Sequence, residues 1–335
     1  MRTRVVGGGW YGCHLSRALI ADGHEVELHE TGPRLFHGAS GNNPARLHIG
    51  CHYPRSKATR QACQDHAAEF AAEYGHLTRS VRTNLYAIAR DHSLMDFGTY
   101  CQVLRGEIEF ITVPDPSEFG LQNVEGAILV GERHIVIDEA REFFTATLGD
   151  AVRLNAERAA CIDSTDWDMT IDATFCANEG AGIDRYEPCL VVLLKGPTDT
   201  AVTIFDGPFP SLYPWNEDAG LCSLSSARYT PFTKECRTWE RARAILDGLK
   251  PHEVEGQAAR MIDSMAHYYP AVRDFEVAEY RLSIRAMPLS GADTRLVRVD
   301  RVGSRAIRVM AGKIDAVVKA AHVVRQMIGA PHGDI

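Results

Sequence analysis

The chain has 335 residues, of which 45% are hydrophobic and 24% charged, and its formal net charge is −8 at neutral pH. This composition is typical of a globular protein with one or two domains. The acidic excess disfavours nucleic acid or an anionic membrane as the main partner, because no basic stripe offsets it. We therefore expect a small-molecule partner.

The first predicted strand begins at residue 2, and no apolar stretch approaches the length of a membrane span. These features predict a cytoplasmic protein without a membrane-spanning segment. The nine cysteines form no Cys-x-x-Cys pair and are scattered through apolar segments. That distribution favours buried thiols over disulfides or a zinc site, so no metal site is predicted.

A glycine-rich turn with the spacing Gly7-x-Gly9-x-x-Gly12 follows the first strand. A helix is predicted over residues 13–22, and a second strand ends at the acid Glu30. This is the pattern of a βαβ dinucleotide-binding unit. The first glycine permits the tight turn, the second lets the backbone approach a pyrophosphate, and the third lets helix and strand pack closely. The acid is expected to accept hydrogen bonds from a ribose.

Predicted helices and strands alternate along the rest of the chain. A helix is predicted from Ser56, its N-cap, to Tyr74, with Gly75 as its stop. The segment 190–226 is strand-rich and broken by proline turns, which predicts an antiparallel sheet. Further helices are predicted over residues 95–104, 139–148, 234–249, 252–267 and 312–328, and further strands over residues 84–89, 108–113, 128–130, 168–174, 280–284 and 306–310.

This order of elements predicts an α/β fold with two interleaved domains. One is a Rossmann-like dinucleotide-binding domain, a parallel sheet with helices, formed by residues 1–82, 149–186 and 285–335. The other is an antiparallel-sheet substrate domain formed by residues 83–148 and 187–284.

The loop after the dinucleotide unit carries the pattern Asn43-x-x-x-x-His48-x-Gly50. With that unit before it, the chain resembles the D-amino-acid oxidase/glycine oxidase (DAO) superfamily of FAD-dependent oxidoreductases. The loop is similar to the flavin-facing loop of the branch that contains L-2-hydroxyglutarate dehydrogenase. The segments 168–178 and 280–328 resemble further blocks of the family. The later Gly-Asp motif of the flavin hydroxylases is not evident, which disfavours a monooxygenase.

The resemblance implies that FAD is the cofactor and lies against the turn, the loop and the C-terminal segment. Lys313, at the start of the predicted last helix, is expected to stabilise negative charge on the reduced flavin. The residues implied in cofactor binding are Gly7, Gly9, Gly12, Glu30, Ser40, Arg46, Thr174, Gly312 and Lys313.

Three residues are candidates for catalysis. His48 is the candidate base, because oxidation of a hydroxyl group must release a proton as the hydride departs. His52 shares the loop and is the second candidate. Arg285 is the third, as a residue that could hold a substrate carboxylate, and Arg46 of the cofactor-binding set is a candidate for the same role. A FAD phosphate or a neighbouring acid is the alternative partner of each arginine.

These features together predict a FAD-dependent oxidoreductase that removes hydride from the carbon of a C–N bond in a small polar amine or amino acid. Oxygen or another electron acceptor would then reoxidise the flavin. The alternative substrate is a 2-hydroxy acid or another alcohol, which His48 favours. Alternatives of another class are a non-redox flavoprotein and a dinucleotide-binding module that holds NAD.

Overall fold

A computed structural model of the protein describes residues 1–157, 165–177, 182–289, 297–310 and 312–329. The described strands form a six-stranded sheet, an eight-stranded sheet and a small three-stranded sheet. The first is mostly parallel and the second mostly antiparallel. The predicted α/β combination of one parallel and one antiparallel sheet is therefore confirmed.

The helices are α1 (Trp10–Ala21), α2 (Lys57–Tyr74), α3 (Phe97–Leu104), α4 (Ile137–Leu148), α5 (Trp239–Gly248), α6 (Pro251–Ala266) and α7 (Val317–Gly329). The strands are β1 (Arg2–Val6), β2 (Glu25–His29), β3 (Arg46–Leu47), β4 (Thr78–Ser80), β5 (Thr83–Ala89), β6 (Phe110–Val113), β7 (Val124–Val130), β8 (Arg133–Ile135), β9 (Val152–Arg153), β10 (Met169–Asp172), β11 (Ile183–Lys195), β12 (Thr200–Phe205), β13 (Pro210–Asn216), β14 (Leu221–Ser226), β15 (Glu276–Pro288), β16 (Arg298–Gly303) and β17 (Ala306–Met310).

The six-stranded sheet has the order β16-β17-β10-β1-β2-β9. Its strands run parallel except β16, which pairs with β17 in the antiparallel sense at one edge. Helix α1 connects β1 to β2 and packs against α7 and α4. The carboxyl ends of β1 and β10 therefore meet at one edge of the sheet, where such folds bind ligands.

The eight-stranded sheet has the order β15-β11-β14-β13-β12-β5-β7-β6. Its strands pair in the antiparallel sense except β5 and β12, which run parallel. Helix α6 packs on β11, β13 and β14. The small sheet has the order β3-β8-β4, and its strands come from three separate parts of the chain. Strand β3 directly precedes His48 and fixes that part of the loop.

The boundaries of several predicted helices are confirmed and others are wrong. Helix α2 follows Ser56, whose hydroxyl accepts the N–H of Thr59 at 3.3 Å as a capping residue does. The helix predicted from residue 234 begins only at Trp239, because Thr238 caps it. The helix predicted from residue 312 is preceded by a short 3-10 helix (Ile314–Ala316).

The sequence-based division assigned residues 137–148 to the substrate domain, whereas α4 packs against α1 in the core beside the parallel sheet. Four side chains on one buried face of α4, at helical spacing, form this contact: Ile137, Ala140, Phe144 and Leu148. The centre of the Phe144 ring lies 5.4 Å from the centre of the Trp10 ring.

Eight cysteines in the described residues are buried and form no disulfide. Cys161 lies outside the described residues. Within the described part of the chain, no group of three or more His, Cys, Asp or Glu side chains could hold a metal ion. None of the helices described is both long and apolar enough to cross a membrane.

Gly12 provides a test of how tightly α1 packs on the turn. A Cβ atom at this position would lie 1.8 Å from the carbonyl oxygen of Gly7, so Gly12→Ala should cost about 3 kcal/mol of unfolding free energy, at the upper end of typical overpacking. Gly256, inside α6, is the matched control, because a Cβ there would meet nothing within 4 Å. Gly256→Ala should instead stabilise the protein by about 0.5–1 kcal/mol.

Chemical denaturation of the two variants measures both values. Equal stability of the two variants would contradict the packing described for Gly12.

Candidate active site

The glycine turn leaves the N-terminus of α1 open beside the loop that follows β2. Gly7 has a positive φ of 106°, which favours glycine. The N–H of Trp10 donates to Ser40 Oγ at 3.0 Å. A Cβ atom on Gly9 would lie 2.7 Å from the same oxygen. A side chain at position 9 would therefore fill the space between the turn and Ser40, which we call the cradle. Such a space beside a helix N-terminus is expected of a site that binds a phosphate.

Glu30 follows β2 and reaches back to the turn. Its carboxylate accepts the N–H of Gly8 at 2.6 Å and the N–H of Gly32 at 2.7 Å. The residue is only 9% exposed. The backbone therefore holds this acid beside the glycine turn, where the predicted ribose contact requires it.

Thr174 lies at the carboxyl end of β10, next to the same turn. Its N–H and hydroxyl donate to Asp172 Oδ1 at 3.0 and 2.6 Å. The carbonyl oxygen of the preceding residue, Ala173, would lie 2.7 Å from a Cβ atom at Gly7. The structure thus brings Thr174 together with the glycine turn and Ser40 at one edge of the parallel sheet.

Lys313 is extended rather than helical, which corrects its predicted place at the start of the last helix. The hydroxyl of Tyr11 donates to its carbonyl oxygen at 2.5 Å. Its ammonium donates to Cys63 Sγ at 2.6 Å and lies 4.0 Å from the centre of the Tyr53 ring. These contacts direct the side chain of Lys313 towards α2 and the loop before it. Gly312 directly precedes Lys313, and α7 begins four residues after Lys313.

Asp315 lies two residues after Lys313 and is buried. Burial raises the pKa of its carboxyl to about 6, although the positive charge of Lys313 opposes the shift. Asp315 Oδ1 has no hydrogen-bond partner within the protein. A partly buried ammonium and a buried carboxyl thus lie two residues apart in the chain at this end of the site.

Asn43 folds the loop that precedes His48. Its side-chain N–H groups donate to the carbonyl oxygens of Ala39 and Ser40, both at 2.9 Å, and its Oδ1 accepts the N–H of Ala45 at 2.7 Å. Ala45 has a positive φ of 55°, an unusual conformation that these bonds support. The amide side chain explains why the pattern contains asparagine at this position.

His48 faces a buried carboxylate. Its Nδ1 lies 3.6 Å from Glu132 Oε1, slightly beyond hydrogen-bonding distance, and its side chain is 21% exposed. Burial lowers the pKa of His48 below its usual 6.5, as do the charges of Lys313 and Arg46, while Glu132 opposes the shift. The imidazole is therefore neutral near pH 7 and able to accept a proton.

His52 joins the same cluster through a tyrosine. The hydroxyl of Tyr86 donates to Glu132 Oε2 at 2.6 Å and lies 3.0 Å from His52 Nδ1. The rings of His48 and His52 have their centres 5.0 Å apart. The two predicted histidines therefore share one carboxylate, which lies between the loop and β5 of the eight-stranded sheet.

Arg46 lies against the eight-stranded sheet rather than at the glycine turn. Its guanidinium stacks 4.1 Å from the centre of the Tyr213 ring and donates to the hydroxyls of Thr203, at 2.8 Å, and Ser211. Its Nε is buried and has no hydrogen-bond partner in the protein. The side chain thus belongs to the same cluster as His48 and Glu132, separate from the cradle at α1.

Arg285 is bound to a protein acid. Its Nε and Nη2 both donate to Glu187 Oε2, at 3.0 and 2.5 Å. The other oxygen of Glu187 accepts from Arg185 at 2.8 Å. Burial would raise the pKa of Glu187, but the two guanidinium groups outweigh it and hold that pKa below its usual value. Glu187 is thus a neighbouring acid in contact with Arg285, one of the partners predicted for it.

Sequence reasoning did not identify Glu132 or Tyr86. Tyr86 stands in a correctly predicted strand, where it resembles any core aromatic residue. Glu132 is a single acid between β7 and β8, flanked by Gly131 and Arg133. An isolated acid between two strands is a weak signal, and its importance becomes visible only through contacts with distant residues.

The chain is similar in sequence and in fold to known proteins. A family model described as DAO, FAD dependent oxidoreductase, matches residues 3–158. The FAD-dependent monooxygenase FPY4 of Fusarium mangiferae is 36% identical in an alignment 335 positions long, gaps included, which covers 97% of this chain and 90% of that protein. The FAD-dependent monooxygenase kojA of Aspergillus flavus is 28% identical in an alignment 373 positions long, gaps included, which covers 98% of this chain and 86% of that protein.

Glycine oxidase from Geobacillus kaustophilus has the same fold, with a TM-score of 0.72 at 16% identity over 99% of this chain and 96% of that one. The glycine turn, the loop and the relative at 36% identity lead to one conclusion: the chain belongs to the DAO family of FAD-dependent oxidoreductases, and FAD is its cofactor.

Proposed function

We propose that this oxidoreductase removes a hydride from a hydroxyl-bearing carbon of a small polar substrate, with His48 as the base that takes the hydroxyl proton. The observation that carries the proposal is the largely buried imidazole of His48, whose Nδ1 lies 3.6 Å from the buried carboxylate of Glu132 and whose pKa burial lowers. A base in this state suits hydroxyl oxidation, because the proton must leave as the hydride departs.

FAD, when bound, supplies the hydride acceptor. The residues that would hold it lie along one edge of the parallel sheet and the adjoining loop. Glycine at position 9 leaves room for a phosphate beside Ser40, and Glu30 lies where a ribose contact is expected. Lys313 adds a positive charge near His48, which suits stabilisation of negative charge on a reduced cofactor.

Arg46 is the side chain we assign to the polar group of the substrate. It lies in the same cluster as His48, its Nε lacks a protein partner, and its neighbours on the substrate sheet are the hydroxyls of Thr203 and Ser211. A guanidinium group with unused donors suits a carboxylate or another anionic oxygen. Arg285 is less suited to this role, because its Nε and Nη2 already donate to Glu187.

Amine or amino-acid oxidation is the second candidate, and it needs no base, because an amine bound in its neutral form can lose a hydride directly. Monooxygenation is the third. The sequence pattern disfavoured it, but both curated relatives carry that name. Membership of an oxidoreductase family leaves the NAD-binding module and the non-redox flavoprotein without support.

Anaerobic addition of substrates to the purified holoprotein separates these reactions. Under the proposal, a hydroxylated compound alone bleaches the visible flavin absorbance, and readmission of oxygen restores it without transfer of oxygen to the product. A requirement for NADH or NADPH, with isotope-labelled O2 entering the product, would establish monooxygenation instead. Bleaching by amines and not by hydroxyl compounds would establish amine oxidation.

Gly9→Val should abolish retention of FAD, since its side chain would occupy the cradle beside Ser40. The measurement is the ratio of flavin to protein absorbance after purification, with circular dichroism to show that the variant is folded. Gly38→Ala is the matched control, because a Cβ at Gly38 would meet nothing within 4 Å. A Gly9→Val protein that keeps stoichiometric FAD would remove this turn from the cofactor site.

His48→Ala should slow anaerobic flavin reduction by a hydroxylated substrate roughly 10²–10⁴-fold, the usual contribution of a general base. In the parent protein the rate should fall as pH decreases through the pKa of His48, because only the neutral imidazole accepts a proton. That midpoint should lie below 6.5, since burial lowers the pKa. Stopped-flow reduction across pH measures both effects, and the variant should lack this acid limb. Unchanged rates and pH dependence in His48→Ala would exclude His48 as the base.

A further inference from the structure

Glu132 is a buried carboxylate whose two oxygens contact different parts of the site. Oε1 accepts the N–H of Ile49 at 3.0 Å and lies 3.6 Å from His48 Nδ1. Oε2 accepts the hydroxyl of Tyr86 at 2.6 Å. Burial would raise the pKa of Glu132, but His48, Arg46 and Tyr86 outweigh it and hold that pKa below its usual value. The group is therefore an anion, able only to accept hydrogen bonds.

The direction of the hydrogen bonds follows from this charge. Tyr86 has one hydroxyl proton and donates it to Glu132, so its oxygen can only accept from His52 Nδ1, 3.0 Å away. His52 must then carry its proton on Nδ1. For His52, the hydrogen bond made by Nδ1 thus determines the state of Nε2. For His48 the cause is electrostatic, because its buried Nδ1 has no hydrogen-bond partner but lies 3.6 Å from the Glu132 carboxylate, which favours a proton on the nearer nitrogen.

We propose that Glu132 is a positioning residue that holds both His48 and His52 in the tautomer with the proton on Nδ1, directly for His48 and through Tyr86 for His52. Nε2 is then the proton-accepting nitrogen of each ring. The use of His48 as a base rests on the proposed function, whereas the tautomers follow from the contacts alone. Glu132 also stabilises the imidazolium that forms when His48 takes a proton.

Two-bond ¹H–¹⁵N correlation spectra of the ¹⁵N-histidine-labelled holoprotein test the proposal without measuring turnover. In water a neutral histidine side chain favours the proton on Nε2, so the expected tautomer is distinguishable. His48→Ala and His52→Ala assign the two signals. We expect both rings to carry the proton on Nδ1 above their pKa values. An Nε2–H tautomer at His48 or at His52 in the parent protein would overturn the proposal.

Two variants separate the direct contact from the one through tyrosine. Tyr86→Phe should release His52 from the Nδ1–H tautomer and leave that of His48 in place. Glu132→Gln should release both rings and lower the pKa of His48 further, because the opposing negative charge is lost. Unchanged tautomers and an unchanged His48 titration in folded Glu132→Gln would overturn the proposal, as would an unchanged His52 in Tyr86→Phe.

Glu27→Gln is the matched control, because Glu27 makes a similar contact to His29, 3.0 Å long, on the outer part of the parallel sheet. It should leave both His48 and His52 unchanged. The two proposals fail separately. Normal flavin reduction in His48→Ala would contradict the proposed function, whereas the tautomers and their response to Glu132→Gln test only the positioning role.

Discussion

The geometry of the candidate active site depends on the contacts made by the buried carboxylate of Glu132. A buried anion is costly unless donors surround it, and removal of one donor leaves the charge uncompensated. Its donors come from two places, the backbone of the loop at Ile49 and the hydroxyl of Tyr86 on β5. The requirement to satisfy this charge therefore ties the loop to the eight-stranded sheet and keeps His48 at their junction.

A second constraint acts at the other end of the site, where β1 turns into α1. Gly12 allows the helix to approach the carbonyl of Gly7, and Gly9 leaves space beside Ser40. These close approaches bring the N-terminus of α1 and the carboxyl end of β10 to one edge of the sheet. Lys313 acts electrostatically on His48 and so connects the C-terminal segment with the cluster around Glu132. The site thus combines a close-packed glycine turn with a charged cluster against the eight-stranded sheet.

The parts of the molecule that sequence predicted well are those with local causes. The glycine spacing, the capped helix α2 and the alternating strands each depend on neighbours a few residues away. The role of Glu132 could not be predicted in this way, because its partners Ile49 and Tyr86 are far away in the chain and meet it only in the folded protein.

Two predicted site residues show the same limit. Arg46 was predicted among the cofactor-binding residues and as a candidate to hold a substrate carboxylate, and the pairing of β3 with β8 places its guanidinium against Tyr213. Lys313 was expected at a helix N-terminus, but the hydroxyl of Tyr11 binds its carbonyl oxygen before the helix begins. In both cases a tertiary contact decided the local geometry.

The central claim is that His48 accepts the proton of a substrate hydroxyl, and a crystal structure of the FAD-loaded protein with a bound hydroxylated substrate analogue tests it most directly. The account predicts His48 Nε2 within about 2.6–3.2 Å of the analogue's hydroxyl oxygen, with Nδ1 still facing Glu132. An analogue bound over the flavin with its hydroxyl group away from both His48 and His52 would contradict the claim.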